Sequence, residues 1–177
     1  MSGDFRSLAD KYGARVYTFA LYTLRRREDA EDVTQEVLVR LWQNREAISS
    51  EGMTAWVMRV TRNLVIDVAR RHRARAAVMA EGADAQMAAS FVASHHRADV
   101  DTQRGELRDV LETAVAGLEE PYRSIVVMRE IQGFAYEEVA EALELPLGTV
   151  KAYLHRARRR LRDSVRSTMG DSGYDLS

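Results

Sequence analysis

The side chains best suited to chemistry in this chain are the cations between Pro146 and Leu161. Lys151, His155 and a run of arginines lie there, and no acidic residue interrupts them. Cations of this kind bind phosphate and can read base edges in a major groove. The pattern therefore indicates an interface for nucleic acid, not a catalytic centre.

Two short helices around a tight turn would position these side chains. The first is predicted over residues 136–143, and Pro146 with Gly148 then breaks it and suits a turn. Thr149 is a good N-cap for the second helix. The predicted buried positions are Val139, Ala140 and Leu143 in the first helix and Val150, Leu154, Ala157 and Leu161 in the second.

The second helix is basic on the side opposite its buried stripe. That side would carry Ala152, His155, Arg156 and Arg159, with Lys151 on its flank. The first helix is acidic and would stay out of a groove lined by phosphate. A basic amphipathic helix can be only a solvated face, but here turn, cap, stripe and charge agree. They predict a helix-turn-helix whose second helix enters a major groove.

Composition narrows the remaining possibilities. Cysteine is absent, which excludes disulfides, thiolate metal sites and a cysteine nucleophile, and fits a reducing compartment. No apolar run could span a bilayer and the N-terminus lacks a signal-peptide core, so a cytoplasmic location is the default expectation. Helical periodicity recurs along the 177 residues, which predicts an all-α protein.

The net charge of −1 hides a strong segregation of charge. Positive residues concentrate in 59–75 and 151–162, and acids in 28–36 and 137–144. Segregation of this kind suggests one surface for phosphate and another for a protein partner.

The N-terminal part of the chain is predicted to form a bundle of three to four helices. The first covers residues 4–24, acidic residues open the second after Arg25–Arg27, and Thr54 caps a third after a polar loop at 44–54. The predicted buried side chains are Phe5, Leu8, Tyr12, Val16, Phe19 and Ala20, then Val33, Val37, Leu38 and Leu41, then Trp56, Val57, Val60, Leu64 and Val68.

Two outer surfaces of this bundle are polar. Asp32, Gln35 and Glu36 remain outside the second helix, where a solvated acidic start and a protein-docking surface both fit. The third helix is basic outside and could run along a nucleic-acid backbone, with one amide for a base. Its outward residues are Arg59, Arg62, Asn63, Arg70 and Arg73.

Residues 76–101 read as a linker that is helical in part, because they are rich in alanine and small polar residues. His95, His96 and Asp99 within it raise a metal-dependent hydrolase as an alternative. Adjacent histidines on a helix point in different directions, however, and no further ligand cluster accompanies them.

Helical periodicity returns after the linker. A helix is predicted over residues 102–118, and Pro121 begins another that Gly133 ends. The apolar positions are Leu107, Val110, Leu111, Ala114 and Leu118, then Ile125, Val126, Met128 and Ile131.

Three segments together resemble the extracytoplasmic-function group of bacterial RNA polymerase sigma factors, in the sigma-70 family. DAEDVTQEVLVRLW at 29–42 resembles the polymerase-binding part of region 2, and AWVMRVTRNLVIDVARR at 55–71 resembles the −10 recognition and melting segment. Residues 119–161 resemble region 4. This last match is the most specific, because it couples a Pro-Tyr-Arg helix to the helix-turn-helix at the family's spacing.

The resemblance implies region 2 at 1–75, a flexible linker at 76–104, region 4 at 105–168 and a tail at 169–177, without the extra domains of housekeeping sigma factors. It implies a subunit that directs core RNA polymerase to −35 and −10 promoter elements and helps open the DNA. No catalytic residue, cofactor or metal is implied. The implied partners are the β′ clamp helices and β flap of core polymerase, promoter DNA and an anti-sigma factor, with no membrane insertion.

The resemblance also assigns residues. Asp32, Gln35 and Glu36 would dock on the β′ clamp helices. The −10 element would meet the loop at 44–54 together with Arg59, Arg62, Asn63 and Arg70. The −35 element would meet Arg129, Thr149, Lys151, Ala152, His155, Arg156 and Arg159.

Ala152 departs from the polar residue often found there, which removes one direct −35 contact. Trp56 matches a family tryptophan, but its helical phase predicts a core position. The linker would thread toward the polymerase active-site and RNA-exit channel. A stand-alone helix-turn-helix regulator is the nearest alternative, and it would need to dimerise to read two half-sites.

Overall fold

The computed structural model describes residues 2–80 and 102–170, and the regular structure in those ranges is entirely helical. The contacts divide the chain into two compact units, Met1–Arg97 and Ala98–Ser177. The predicted all-α class with two helical domains is therefore confirmed. The finer limits at residues 75, 105 and 168 stay a prediction.

Three helices form the first unit: α1, Ser2–Leu24; α2, Arg27–Asn44; and α3, Met53–Ala80. Arg25 has a φ of 54°, in the left-handed region, and reverses the chain between α1 and α2. Glu28 and Asp29 occupy the first turn of α2, where acidic side chains favour the positive end of the helix dipole. Each helix packs against the other two.

The core of this unit follows the predicted stripes over most of α1 and α2, but Phe5 is 38% exposed and Leu8 and Leu38 are only half-buried. The departure is larger on α3. Val57 and Val68 are buried there, whereas Trp56, Val60 and Leu64 are only half-buried. Because α3 packs against both other helices, its buried face is wide and also takes in Met58, Thr61 and Val65.

Thr61 was missed because the sequence pattern counted apolar residues alone. Its hydroxyl donates to the Val57 carbonyl at 2.7 Å, which satisfies a buried polar group. The predicted cap at Thr54 is also wrong. The Trp56 N–H already donates to the Gly52 carbonyl at 2.9 Å, so α3 begins at Met53 and includes Thr54.

The second unit contains α4, Thr102–Ala116; α5, Tyr122–Val126, which continues as a π-helical segment, Val127–Ile131; α6, Tyr136–Leu143; and α7, Leu147–Gly170. Its core includes Ile125, Met128, Phe134 and Leu154. Gly133, with a φ of 73°, ends the π-helical segment as predicted.

The predicted stripe of α4 is only partly buried. Ala114 and Leu118 are covered, but Leu107 and Leu111 are 43% and 44% exposed. Helices α5 and α7 cover the C-terminal end of the stripe, which explains the difference.

The turn between α6 and α7 is tighter than the sequence predicted. Glu144 adopts a φ of 54° and closes α6. The Val150 N–H donates to the Pro146 carbonyl at 3.1 Å, so α7 begins at Leu147. Thr149 therefore lies in the first turn of α7 and is not its N-cap, which corrects the prediction. In α6, Ala142 is buried in place of the predicted Ala140.

Across residues 2–80 and 102–170, none of the helices combines the length and apolar character that crossing a membrane requires.

Candidate nucleic-acid and polymerase interfaces

The outer face of α7 is exposed. Val150, Leu154 and Ala157 are buried as predicted, whereas Leu161 is only half-buried, and these positions set the helix phase. The side chains predicted to read DNA are exposed on the opposite side, namely Lys151, Ala152, His155, Arg156 and Arg159. The structure thus brings these five predicted residues together on one surface.

One flank of α7 is held by aromatic and ionic contacts with the start of α5. The rings of Tyr122 and Tyr153 lie 5.0 Å apart, and the Arg160 guanidinium lies 4.5 Å from the Tyr122 ring. A nitrogen of Arg160 is also 3.7 Å from a carboxylate oxygen of Glu119.

The opposite flank of α7 faces the π-helical segment and α6. Arg158 donates to the Glu130 carboxylate at 2.6 Å. Lys151, seven residues earlier and therefore on the same flank, has its ammonium 5.6 Å from the Tyr136 ring. Helix α7 is thus held on both sides of its outer face.

Arg129 and Thr149, also predicted at the −35 element, are half-buried. The Arg129 guanidinium donates to the Phe134 carbonyl at 2.7 Å and lies 4.6 Å from the Tyr136 ring. It therefore braces the entry to α6. The Ala135 N–H donates to Glu138 at 2.7 Å and completes the start of that helix.

The arginines of α7 differ in charge environment. The hydrogen bond and charge of Glu130 raise the pKa of Arg158 above its ordinary value. Arg156 and Arg159 form no ion pair with any residue in the described ranges. The sequence pattern did not reveal that Arg158 is paired, because a partner 28 residues away leaves no local signal.

The predicted −10 residues share a face of α3 but differ in exposure. Asn63 and Arg70 are exposed, whereas Arg59 and Arg62 are half-buried. Spacings of three, four and seven residues align them along the helix. From Arg59 to Arg70 the row spans about 16 Å at 1.5 Å per residue.

The loop between α2 and α3 is tied to α2. The Arg45 guanidinium lies 3.8 Å from the Trp42 ring and donates to the Trp42 carbonyl at 2.7 Å. Asn44 donates to the Arg40 carbonyl at 2.8 Å, and the Gly52 N–H donates to Ser49 at 3.2 Å.

Asp32, Gln35 and Glu36 are exposed together on α2, as predicted. Glu36 is already bound by Arg40, whose Nε lies 2.6 Å from its carboxylate. A partner must therefore compete with an exposed ion pair of modest strength.

A polar cluster at the start of α2 was not predicted. One carboxylate oxygen of Asp29 lies 3.3 Å from Nε of Arg26, and the other lies 3.5 Å from Nε2 of His72 on α3. The Asp29 side chain is 19% exposed. His72 is 43 positions along the chain from Asp29, so only folding reveals the contact. The cluster joins the acidic helix to the basic one.

The described residues contain no group of three His, Asp or Glu side chains able to hold a metal ion. His95, His96 and Asp99, on which the hydrolase alternative depended, lie outside the described ranges.

The fold and these surfaces define an all-helical DNA-binding protein with a helix-turn-helix in its second unit. Family models agree in both units: sigma-70 region 2 matches residues 8–75, and sigma-70 region 4 matches residues 108–161.

Curated relatives extend this match. The chain is 31% identical over 159 residues to the ECF RNA polymerase sigma factor SigL of Mycobacterium tuberculosis, covering 89% of this chain and 86% of SigL. It is also 31% identical over 157 residues to SigE of Mycolicibacterium smegmatis, covering 88% of this chain but 59% of that longer relative.

A solved structure has the same fold. The sigma factor RpoE, crystallised with the anti-sigma factor NepR from Bartonella quintana, aligns with a TM-score of 0.70 at 23% identity, covering 92% of this chain and 97% of RpoE. The chain belongs to the sigma-70 family, in its extracytoplasmic-function group. It is a transcription initiation factor that directs RNA polymerase to promoters. These matches favour this function over the stand-alone regulator and over the hydrolase.

Proposed function

We propose that the second unit reads the −35 element through the outer face of α7. The observation that carries this proposal is the exposure of Lys151, His155, Arg156 and Arg159 between two fixed flanks. A recognition helix of this kind contacts base edges with its N-terminal residues and phosphates with its cations. Arg129 and Thr149 would then support the entry to the helix pair more than they touch bases.

The first unit would capture the −10 element. Arg59, Arg62 and Arg70 follow the phosphates of one strand, and Asn63 hydrogen-bonds a base that has left the stack. The loop beside α3 would hold that base. Capture offsets the cost of unstacking, which is a few kcal/mol.

The acidic face of α2 would dock on the β′ clamp helices of core polymerase. Asp32, Gln35 and Glu36 are exposed and negative overall, so they favour a basic or polar partner over phosphate. The second unit would meet the β flap. In this role the chain contributes no catalytic residue, cofactor or metal.

We also propose that an anti-sigma factor holds the chain inactive in the cytoplasm. RpoE of Bartonella quintana is described in complex with the anti-sigma factor NepR. An inhibitor of this kind would cover surfaces needed for polymerase or DNA.

Run-off transcription tests the proposed function. Core polymerase with this chain should transcribe a subset of a library with randomised −35 and −10 blocks, and sequencing of the transcripts should recover two conserved blocks. Core alone should recover neither. Failure of the chain to bind core in a pull-down, together with a dimer on size exclusion, would favour the stand-alone regulator.

A further inference from the structure

The cations of α7 divide into an outward set and a restrained set. Lys151, Arg156 and Arg159 are exposed on or beside the outer face. Arg158 and Arg160 lie on the two flanks, and each meets an acid from an earlier element of the second unit. Only the bond from Arg158 is short, at 2.6 Å.

The partner of Arg158 is Glu130, in the π-helical segment. Both side chains are partly exposed, at 53% and 39%, so the pair contributes little to stability. Its main consequence is therefore electrostatic. One arginine of the recognition helix is neutralised next to the surface that meets DNA.

Phosphate contacts raise affinity for every sequence alike, whereas base contacts raise it for one sequence. An arginine released at the flank of α7 could reach the DNA backbone and would strengthen non-specific binding. The Glu130 bond withholds that arginine. It also joins α7 to the π-helical segment, while the buried stripe sets the rotation of the outer face.

We propose that Glu130 is a positioning residue for −35 recognition, which increases sequence discrimination by holding Arg158 away from the phosphate backbone. This inference rests on the proposed reading of the −35 element by α7. It predicts that losing an acid strengthens DNA binding while weakening specificity.

The test uses holoenzyme with Glu130→Gln and a pool of duplexes whose −35 block is randomised. Glu130→Gln should make the slope of log K against log salt steeper by about 0.9 on random-sequence duplex. If the two proteins bind alike at 1 M salt, that slope corresponds to binding about eightfold tighter at 0.1 M salt. Sequencing of bound duplexes should recover the wild-type motif with weaker enrichment.

Glu141→Gln is the matched control, since it removes the same charge from an exposed position on α6. It should leave both slope and enrichment unchanged. Arg158→Gln should also leave the slope near the wild-type value, because Arg158 makes no phosphate contact while Glu130 holds it. When Arg158→Gln is already present, adding Glu130→Gln should not change the slope of log K against log salt.

The outcomes are distinguishable. If wild-type holoenzyme enriches no −35 motif, the proposed function of α7 is wrong. If it enriches a motif and Glu130→Gln has the same slope and enrichment, or steepens the slope equally without Arg158, the positioning role is wrong. Circular dichroism checks that Glu130→Gln is folded. If Glu130→Gln unfolds, the Arg158→Gln variant still tests the proposal, because a slope shallower than that of the wild type would show that Arg158 already contacts phosphate.

Discussion

The two basic helices, α3 and α7, differ in how much of each is embedded. Helix α3 packs against both other helices of its unit, and Arg59 and Arg62 on its polar face are half-buried. Helix α7 keeps Arg156 and Arg159 exposed, with contacts along both flanks. Similar cationic sequences therefore present different surfaces.

This difference separates two ways of meeting DNA. An exposed helix with fixed flanks can enter a major groove, where several side chains reach base edges at once. An embedded helix offers a narrow row, which suits a single strand drawn along it. We therefore expect substitutions on α7 to change duplex recognition and those on α3 to change strand opening.

The largest effect should come from the acidic face of α2, because both basic helices can act at a promoter only when the chain is bound to core polymerase. A variant with Asp32→Lys and Glu36→Lys should lose core polymerase at every promoter. The reason is that the charge reversal opposes a docking face and also replaces the anionic partner of Arg40 with a second cation. We expect a loss of roughly 3 kcal/mol or more, over a hundredfold, in a core-binding titration.

Asp10→Lys with Asp67→Lys is a matched control, because both acids are exposed on the same unit, neither lies on α2 and the net charge changes equally. It should retain core binding. If the two double variants bind core alike, the acidic face of α2 does not dock on polymerase.

A smaller effect should separate base reading from phosphate contact on α7. Arg156→Ala should cost about 1–3 kcal/mol on promoters that carry a −35 element and leave core binding intact. Transcription from templates with intact and scrambled −35 blocks measures the difference.

Arg166→Ala offers a control on the same helix. Arg166 is exposed but lies ten residues, or about 15 Å, further along α7. It should affect both templates equally and weakly. An equal loss on both templates for Arg156→Ala would show that Arg156 contacts phosphate and does not read a base.

The sequence predicted the parts of the fold that depend on local pattern. The stripe of Val150, Leu154 and Ala157 located the outer face of α7 correctly, because a regular period repeats over several turns. The acidic start of α2 and the helix-breaking role of Gly133 were also predicted correctly.

The errors arise where tertiary contacts decide. Burial of Thr61 and exposure of Leu111 depend on which helices cover each face, which no local period contains. The Glu130–Arg158 and Asp29–His72 contacts join residues distant in sequence. Thr149 was misplaced because Pro146 already begins the turn that leads into α7.

The smallest predicted effect tests the embedded helix. Asn63 is exposed among arginines on α3, so its amide can hydrogen-bond a base that has left the stack. Asn63→Ala should lower open-complex formation by about 0.5–1.5 kcal/mol, the contribution of one hydrogen bond, while closed-complex binding stays nearly unchanged. Permanganate reactivity of −10 thymines measures opening, and a filter-binding assay at low temperature measures the closed complex.

Asn63→Gln keeps the amide and should recover part of the reactivity. Unchanged thymine reactivity in Asn63→Ala would remove Asn63 from strand opening, and an equal loss in both assays would make it a duplex contact, contrary to the contrast drawn between α3 and α7.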